Sequence, residues 1–104
     1  MKPLFVLAAA EADIQAAMRW YDRIAPGLSD GFLSRLQSAM LMIREHPELY
    51  ELEFDEVRAA PLWRFPYLAY YHILPEGIEL VGVLHAQLDP QQIARQISSR
   101  NQLA

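Results

Sequence analysis

The chain has 104 residues, of which 53% are apolar and 21% charged, so it is long enough for one small domain with a core and too short for two. Nine Lys and Arg against thirteen Asp and Glu give a net charge of −4. This charge disfavours a protein that binds its ligand mainly through contacts with phosphate groups. Cys is absent, which excludes disulfides, thiolate metal sites and cysteine nucleophiles. We therefore expect a single acidic domain over residues 1–104, without a metal or cofactor.

The first half of the sequence predicts a short strand and then two helices. Residues 4–7 form an apolar run, and the stretch around it is too short, with one Lys before it, for a typical signal peptide. No apolar run approaches the ~20 residues that a membrane span needs, so we expect a cytoplasmic protein without a membrane partner. Apolar residues then recur at helical spacing over 14–24 and 32–43, with Pro26-Gly27 as the break between the two helices. Ser29 or Asp30 is the predicted cap of the second helix, and the short connection predicts an antiparallel helix hairpin.

The second half changes to the alternating pattern of strands. We predict strands over 52–54, 64–73 and 78–85, with a tight turn at Pro75-Glu76-Gly77 between the last two. Asp89-Pro90 begins a final short helix, because Pro is favoured at the first helical position. These elements predict an α+β fold with a two-helix hairpin, four strands and a short C-terminal helix.

The last predicted hairpin is apolar on both faces. By strict alternation, Leu80 and Leu84 point to one face, and Val81 and Val83 to the other. A pair of helices covers only one face of a sheet, so the second face requires the terminal helix, a second copy of the chain or a partner peptide. A homodimer is therefore one of the open possibilities.

The order of elements and several local motifs resemble the RelE/ParE toxin superfamily of bacterial type II toxin–antitoxin modules, and in particular its ParE-like, plasmid stabilisation branch. The motifs, in chain order, are Ala12-Asp13-Ile14, Trp20-Tyr21, Pro26-Gly27-Leu28, His46-Pro47, Val57-Arg58, Arg64-Phe65-Pro66-Tyr67, Tyr70-Tyr71, Val83-Leu84-His85 and Asp89-Pro90. The resemblance implies that the two-helix hairpin packs on a small, mostly antiparallel four-stranded sheet. It also implies a cognate antitoxin protein that wraps around the toxin and neutralises it.

Members of this superfamily act in different ways: some cleave messenger RNA on the ribosome and others poison DNA gyrase. The cleaving branch uses Lys and Arg side chains at places that look here like Ala59, Pro61, Leu68 and Leu88, none of which transfers a proton or binds a phosphate. The resemblance then implies a toxin that acts by binding a protein such as DNA gyrase, without direct nucleic-acid binding. The alternatives are a ribosome-dependent endoribonuclease and a degenerate member that only binds its antitoxin.

Four residues are candidates for partner binding: Arg58, Arg64, Tyr70 and His85. The two arginines would hold carboxylates of an acidic antitoxin segment, since a guanidinium pairs with a carboxylate through two bonds; the alternative is that they bond local acids such as Asp55 or Glu56. Tyr70 belongs to an aromatic-rich strand, where stacking on a ligand competes with ordinary packing. His85 ends a strand and is either a general base or pH-tuned contact, or a structural histidine.

Overall fold

The computed structural model describes residues 1–101, which form five strands and three helices around one sheet. In chain order these are β1 (Leu4–Val6), α1 (Ala8–Ile24), α2 (Leu28–Glu45), β2 (Leu52–Phe54), β3 (Val57–Pro61), β4 (Tyr67–Leu74), β5 (Gly77–His85) and α3 (Pro90–Asn101). No helix in this described range is both long and apolar enough to cross a membrane. The single predicted domain includes residues 102–104, which lie outside the described residues.

The sheet is mixed and has one strand more than predicted. Its order is β1-β5-β4-β3-β2, with β1 parallel to β5 and the other three pairs antiparallel. The missed strand is β3, whose Ala59, Ala60 and Pro61 are poor strand formers. It forms because it pairs along its whole length with β4, from Val57 opposite His72 to Pro61 opposite Leu68.

Strand β4 also begins later than the sequence predicts. The predicted strand starts at Arg64, whereas Arg64 adopts a left-handed conformation with φ of 75° and belongs to the turn between β3 and β4. Backbone bonds from Leu62 N–H to the Tyr67 carbonyl and from Phe65 N–H to the Leu62 carbonyl close this turn. The aromatic residues that made segment 64–73 look like one strand are therefore divided between a turn and a strand.

Helices α1 and α2 cover one face of the sheet. Gly27 joins them with a φ of 87°, a conformation that costs glycine little. Between the helices and the sheet lies a cluster of four rings, Tyr21, Phe32, Phe65 and Tyr67, with centroids 5.0 to 6.1 Å apart and mostly edge-to-face. Edge-to-face pairs add to the stability from burial, so this cluster locks the helices to the sheet.

The start of α2 is capped from outside the helix. The sequence predicts Ser29 or Asp30 as the cap, but Gly27 occupies that position and the Asp22 carboxylate of α1 accepts bonds from Ser29 N–H (3.0 Å) and Ser29 Oγ (2.8 Å). Both bonds lower the pKa of the Asp22 carboxyl group, and the bond from the Ser29 backbone N–H has the larger effect. The cap therefore ties the end of α1 to the beginning of α2.

Helix α3 covers the other face of the sheet. The sequence left open whether this helix, a second copy of the chain or a partner peptide would cover it. Ile93 and Ile97 are buried there against Val57, Val81 and Leu84. The predicted placement of the β5 side chains is wrong in one respect: Leu84 shares the α3 face with Val81, while Leu80 and Val83 face the helix pair. The reason is a bulge, because Tyr70 pairs with Gly82 and Tyr71 with Leu80, which leaves Val81 as an extra residue and reverses the alternation.

An ion pair fixes α3 at this bulge. Arg100 of α3 donates to both oxygens of Asp13 in α1, at 2.6 and 3.1 Å, and to the Val81 carbonyl at 3.0 Å. Asp13 also accepts the Val83 N–H at 3.0 Å. Both side chains are mostly buried, 18% and 14% exposed. The first and last helices are thus joined through the irregular part of β5.

Candidate partner-binding surfaces

Arg58, predicted as a carboxylate anchor, is used inside the chain. It lies in β3, half-buried, and its Nη1 donates to the Tyr50 carbonyl at 2.6 Å. No carboxylate lies within 4.0 Å of it in the described part of the chain, so neither Asp55 nor Glu56 is its partner. The contact ties the segment before β2 to the sheet, which gives Arg58 a structural role within residues 1–101.

Arg64 lies at the surface beside an exposed indole. Its guanidinium carbon is 5.7 Å from the ring centroid of Trp63. The guanidinium carbon of Arg35, in α2, is 5.3 Å from the same centroid. Both distances are within the range of cation–π attraction. Trp63 is 71% exposed. The structure thus brings together two cations and one large apolar ring, of which the sequence analysis identified only Arg64.

A shallow hollow of about 180 Å³ continues this surface. Its lining contains arginine, aromatic and small or apolar residues and no carboxylate: Arg35, Ser38, Ala39, Met42, Tyr50, Pro61 and Trp63. We call Arg35, Trp63, Arg64 and Met42 the arginine–tryptophan surface. Adjacent positions Trp63 and Arg64 were visible in the sequence, but Arg35 comes from another element, which is why sequence reasoning missed the group.

Tyr70 is a core residue. It is 3% exposed and packs against Phe54, with ring centroids 6.3 Å apart. Burial, and to a lesser degree the Glu53 charge, raise the pKa of its hydroxyl. Tyr70 therefore holds its proton at neutral pH, and only an edge of it reaches the groove described below.

His85 ends β5 and is half-buried. Its Nδ1 accepts the Gln87 N–H at 3.1 Å, and its ring meets Tyr67 edge-on with centroids 5.2 Å apart. In the neutral ring the proton is then on Nε2. His85 lies in a second hollow with Trp20 and Arg23, which form another exposed arginine–tryptophan pair, 5.6 Å apart. Arg64 does not line this hollow, so the four predicted residues do not form one site.

An open groove of about 400 Å³ runs between α3 and the sheet. Its lining is mostly apolar: Glu53, Phe54, Leu68, Tyr70, Ala86, Leu88, Pro90, Gln91, Ile93 and Ala94. Leu68 and Leu88, two of the four positions that the resemblance matched to basic residues of the RNA-cleaving branch, are part of this lining. Ala59 is buried nearby, opposite Tyr70 in the sheet, and Pro61 is exposed at the end of β3.

Comparison with known proteins agrees with this architecture. The family described as the ParE toxin of the type II toxin–antitoxin system parDE matches residues 4–90. A solved structure titled as the chromosomal ParDE system from P. aeruginosa is similar in fold, with a TM-score of 0.64 and 18% identity, over 84% of this chain and 98% of that one. No curated protein matches the sequence. The family match extends from β1 to the start of α3, and the chain belongs to the ParE toxin family of type II toxin–antitoxin systems.

Proposed function

We propose that this ParE-family chain is neutralised by a cognate antitoxin and, when free, acts by binding a protein target such as DNA gyrase. A protein-binding mode of action needs accessible apolar and cationic side chains but no set of proton-transfer groups. The surfaces described above have this character. Of the four residues predicted to bind a partner, Arg64 is the one whose side chain is exposed and not bonded within residues 1–101, and we retain it as a binding residue.

The apolar groove under α3 is the observation that supports this proposal most. RNA cleavage requires groups that move protons and stabilise phosphate charge, and Leu68 and Leu88 in its lining do neither. The carboxyl group of the lining belongs to Glu53. The Tyr70 hydroxyl is protonated at neutral pH, as in any tyrosine, and burial raises its pKa further. A lining of this kind fits an apolar protein side chain better than a ribose-phosphate backbone.

A run of negative charge that includes Glu53 of the groove lining supports the same conclusion. Segment 45–56 leads into β2 and β3 and carries six carboxylates, all of them exposed: Glu45, Glu48, Glu51, Glu53, Asp55 and Glu56. At physiological salt such charges repel a phosphate backbone over about 8 Å.

A supercoiling assay with purified DNA gyrase tests the proposed target. The free protein is expected to inhibit supercoiling in a dose-dependent way, and equimolar antitoxin is expected to restore it. Undiminished supercoiling at a large excess of the protein would exclude gyrase as the target. Failure of the antitoxin to form a complex, measured by titration calorimetry, would contradict neutralisation.

The endoribonuclease alternative is tested in parallel. Programmed ribosomes with labelled messenger RNA are expected to yield no fragments above a buffer control. His85→Ala is the informative variant, because His85 is the residue that the sequence offered as a general base. Cleavage by the natural protein that His85→Ala removes would establish the nuclease reading instead.

Two further expectations from the sequence stay predictions. A homodimer is one way to cover the groove under α3, and light scattering of the free protein and of its antitoxin complex measures whether it forms. A cytoplasmic location is checked by fractionating cells that produce the protein with its antitoxin.

A further inference from the structure

We propose that the arginine–tryptophan surface receives an acidic segment with apolar side chains, and that this segment belongs to the antitoxin. The proposal rests on the proposed function for the identity of the partner, but the chemistry of the surface is argued from the chain itself. Three observations carry it: the exposed indole, the two cations on it and the lack of carboxylates around it.

The indole is the apolar part of the surface. Trp63 is 71% exposed and Met42, at the same hollow, is 40% exposed. Tryptophan and arginine are the residues that most often dominate the binding energy of protein interfaces. An apolar side chain of a partner that covered Trp63 and Met42 would remove this area from water.

The two arginines supply the charge complementarity. Arg35 and Arg64 both lie over Trp63, and within residues 1–101 neither has a carboxylate within 4.0 Å, since the one ion pair in that range joins Arg100 to Asp13. The hollow has no acidic residue in its lining, although the chain has thirteen Asp and Glu. A locally positive surface on a protein of net charge −4 selects carboxylates of a partner.

The surface is also held in place before a partner arrives. Arg35 belongs to α2, which is anchored to the core by its buried residues Phe32, Leu36 and Ala39. Trp63 and Arg64 lie in the hydrogen-bonded turn between β3 and β4. Groups that are already positioned lose less entropy on binding.

A second arginine–tryptophan pair offers a matched control. Trp20 is 53% exposed and Arg23 lies over its ring, but this pair has one cation, and Asp13 lines the adjoining hollow. If any exposed arginine on an indole sufficed, both pairs would bind acidic segments equally. The proposal assigns binding to the pair with two cations and no neighbouring carboxylate.

The two tryptophans of the chain make the experiment selective. In Trp20→Phe, Trp63 is the single indole reporter, and in Trp63→Phe it is Trp20. The first probe is a short synthetic peptide of alternating Glu and Leu, with a Gln–Leu peptide and an oligothymidylate of equal charge as comparators. The Glu–Leu peptide is expected to change the Trp63 emission in a saturable, salt-sensitive way and to leave the Trp20 emission unchanged.

Charge removal identifies the binding groups. Combining Arg35→Gln with Arg64→Gln in the Trp63 reporter is expected to weaken peptide binding about tenfold, the effect of two solvent-accessible ion pairs. Arg23→Gln is expected to leave it within about twofold. Equal binding of the Gln–Leu peptide, an equal loss with Arg23→Gln, or tighter binding of the oligothymidylate would overturn the proposal. Circular dichroism checks that the variants fold.

The purified antitoxin then tests the identity of the partner. It is expected to displace the peptide, to change the Trp63 emission and to bind the double arginine variant more weakly. An antitoxin that binds the protein while the peptide stays bound and Trp63 is unaffected would overturn the proposal and leave the proposed function intact. If the antitoxin does not bind at all, the proposed function fails, and the peptide titration still decides whether the surface accepts acidic segments.

Discussion

The two faces of the sheet are covered in different ways. On one face, two long helices bury a continuous core that includes the four-ring cluster of Tyr21, Phe32, Phe65 and Tyr67. On the other, the single helix α3 buries Ile93 and Ile97 and leaves an open groove beside them. The first face is stabilised by packing over a large area, whereas the second depends on a few contacts and one ion pair. We expect the helix-pair face to carry most of the stability and the α3 face to be the adaptable one.

The largest expected effect comes from breaking the helix-pair face. Phe32 is fully buried and contacts three other rings, so Phe32→Ala is expected to lower the free energy of unfolding by about 3–5 kcal/mol. The matched change on the other face is Phe54→Ala, at a half-buried ring that contacts Tyr70. It is expected to cost less than half as much, because less area leaves water. Urea denaturation measures both, and equal losses would contradict the comparison.

Removing the ion pair breaks the α3 face. Asp13→Ala deletes the acceptor of two Arg100 bonds and one Val83 bond, and is expected to cost about 1.5–3 kcal/mol. A double-mutant cycle with Arg100→Ala separates the pair from other effects of each substitution. A coupling free energy near zero would show that α3 docks through Ile93 and Ile97 alone.

Adding a side chain to β5 at the contact with α3 sharpens the same comparison. A Cβ at Gly82 would lie 2.6 Å from Ile97 Cδ1 and 2.7 Å from Arg100 Nη1, so Gly82→Ala is expected to displace α3 and cost about 1–3 kcal/mol. The control is Gly31→Ala in α2, where the nearest atom, Phe65 Cζ, is 3.6 Å away. There, alanine is expected to stabilise the protein by about 0.5–1 kcal/mol, because glycine is unfavourable inside a helix. Thermal melts should show shifts of opposite sign.

At neutral pH the smallest loss of stability is expected at Tyr71, which faces the helix pair. Its hydroxyl donates to the Pro47 carbonyl at 2.6 Å, and burial, opposed in part by the Arg58 charge, raises its pKa to about 12. Between pH 10 and 12 the unfolded chain releases this proton before the folded one does, so the free energy of unfolding falls as pH rises, by up to about 1.4 kcal/mol per pH unit.

The variant Tyr71→Phe isolates that contribution. It is expected to lose about 1 kcal/mol at neutral pH, from the missing hydrogen bond, and to show a shallower alkaline loss than the natural protein. Denaturation at pH 8, 10 and 11 provides the slopes. Because burial also raises the pKa of Tyr21, Tyr67 and Tyr70, some alkaline slope should remain. Identical slopes in the two proteins would contradict the assignment to Tyr71.

Local sequence determined much of this protein. The helical periods, the Pro26-Gly27 break, the hairpin turn at Pro75–Gly77 and the start of α3 at Pro90 all follow from the chemistry of neighbouring residues. The motifs in order also led to the ParE family, which the match over residues 4–90 confirms. These features are recoverable because the interactions that produce them lie within a few residues of each other.

Tertiary structure decided what depends on distant partners. Strand β3 exists because β4 pairs with it, despite its alanines and proline. The bulge at Val81 reversed the facing of β5, since a single extra residue changes the alternation beyond it. Arg58 donates to the Tyr50 carbonyl, and Arg35 lies over the Trp63 ring although the two residues belong to different elements. A sequence shows which side chains are charged or aromatic, but the fold alone determines which of them are already bonded and which remain available to a partner.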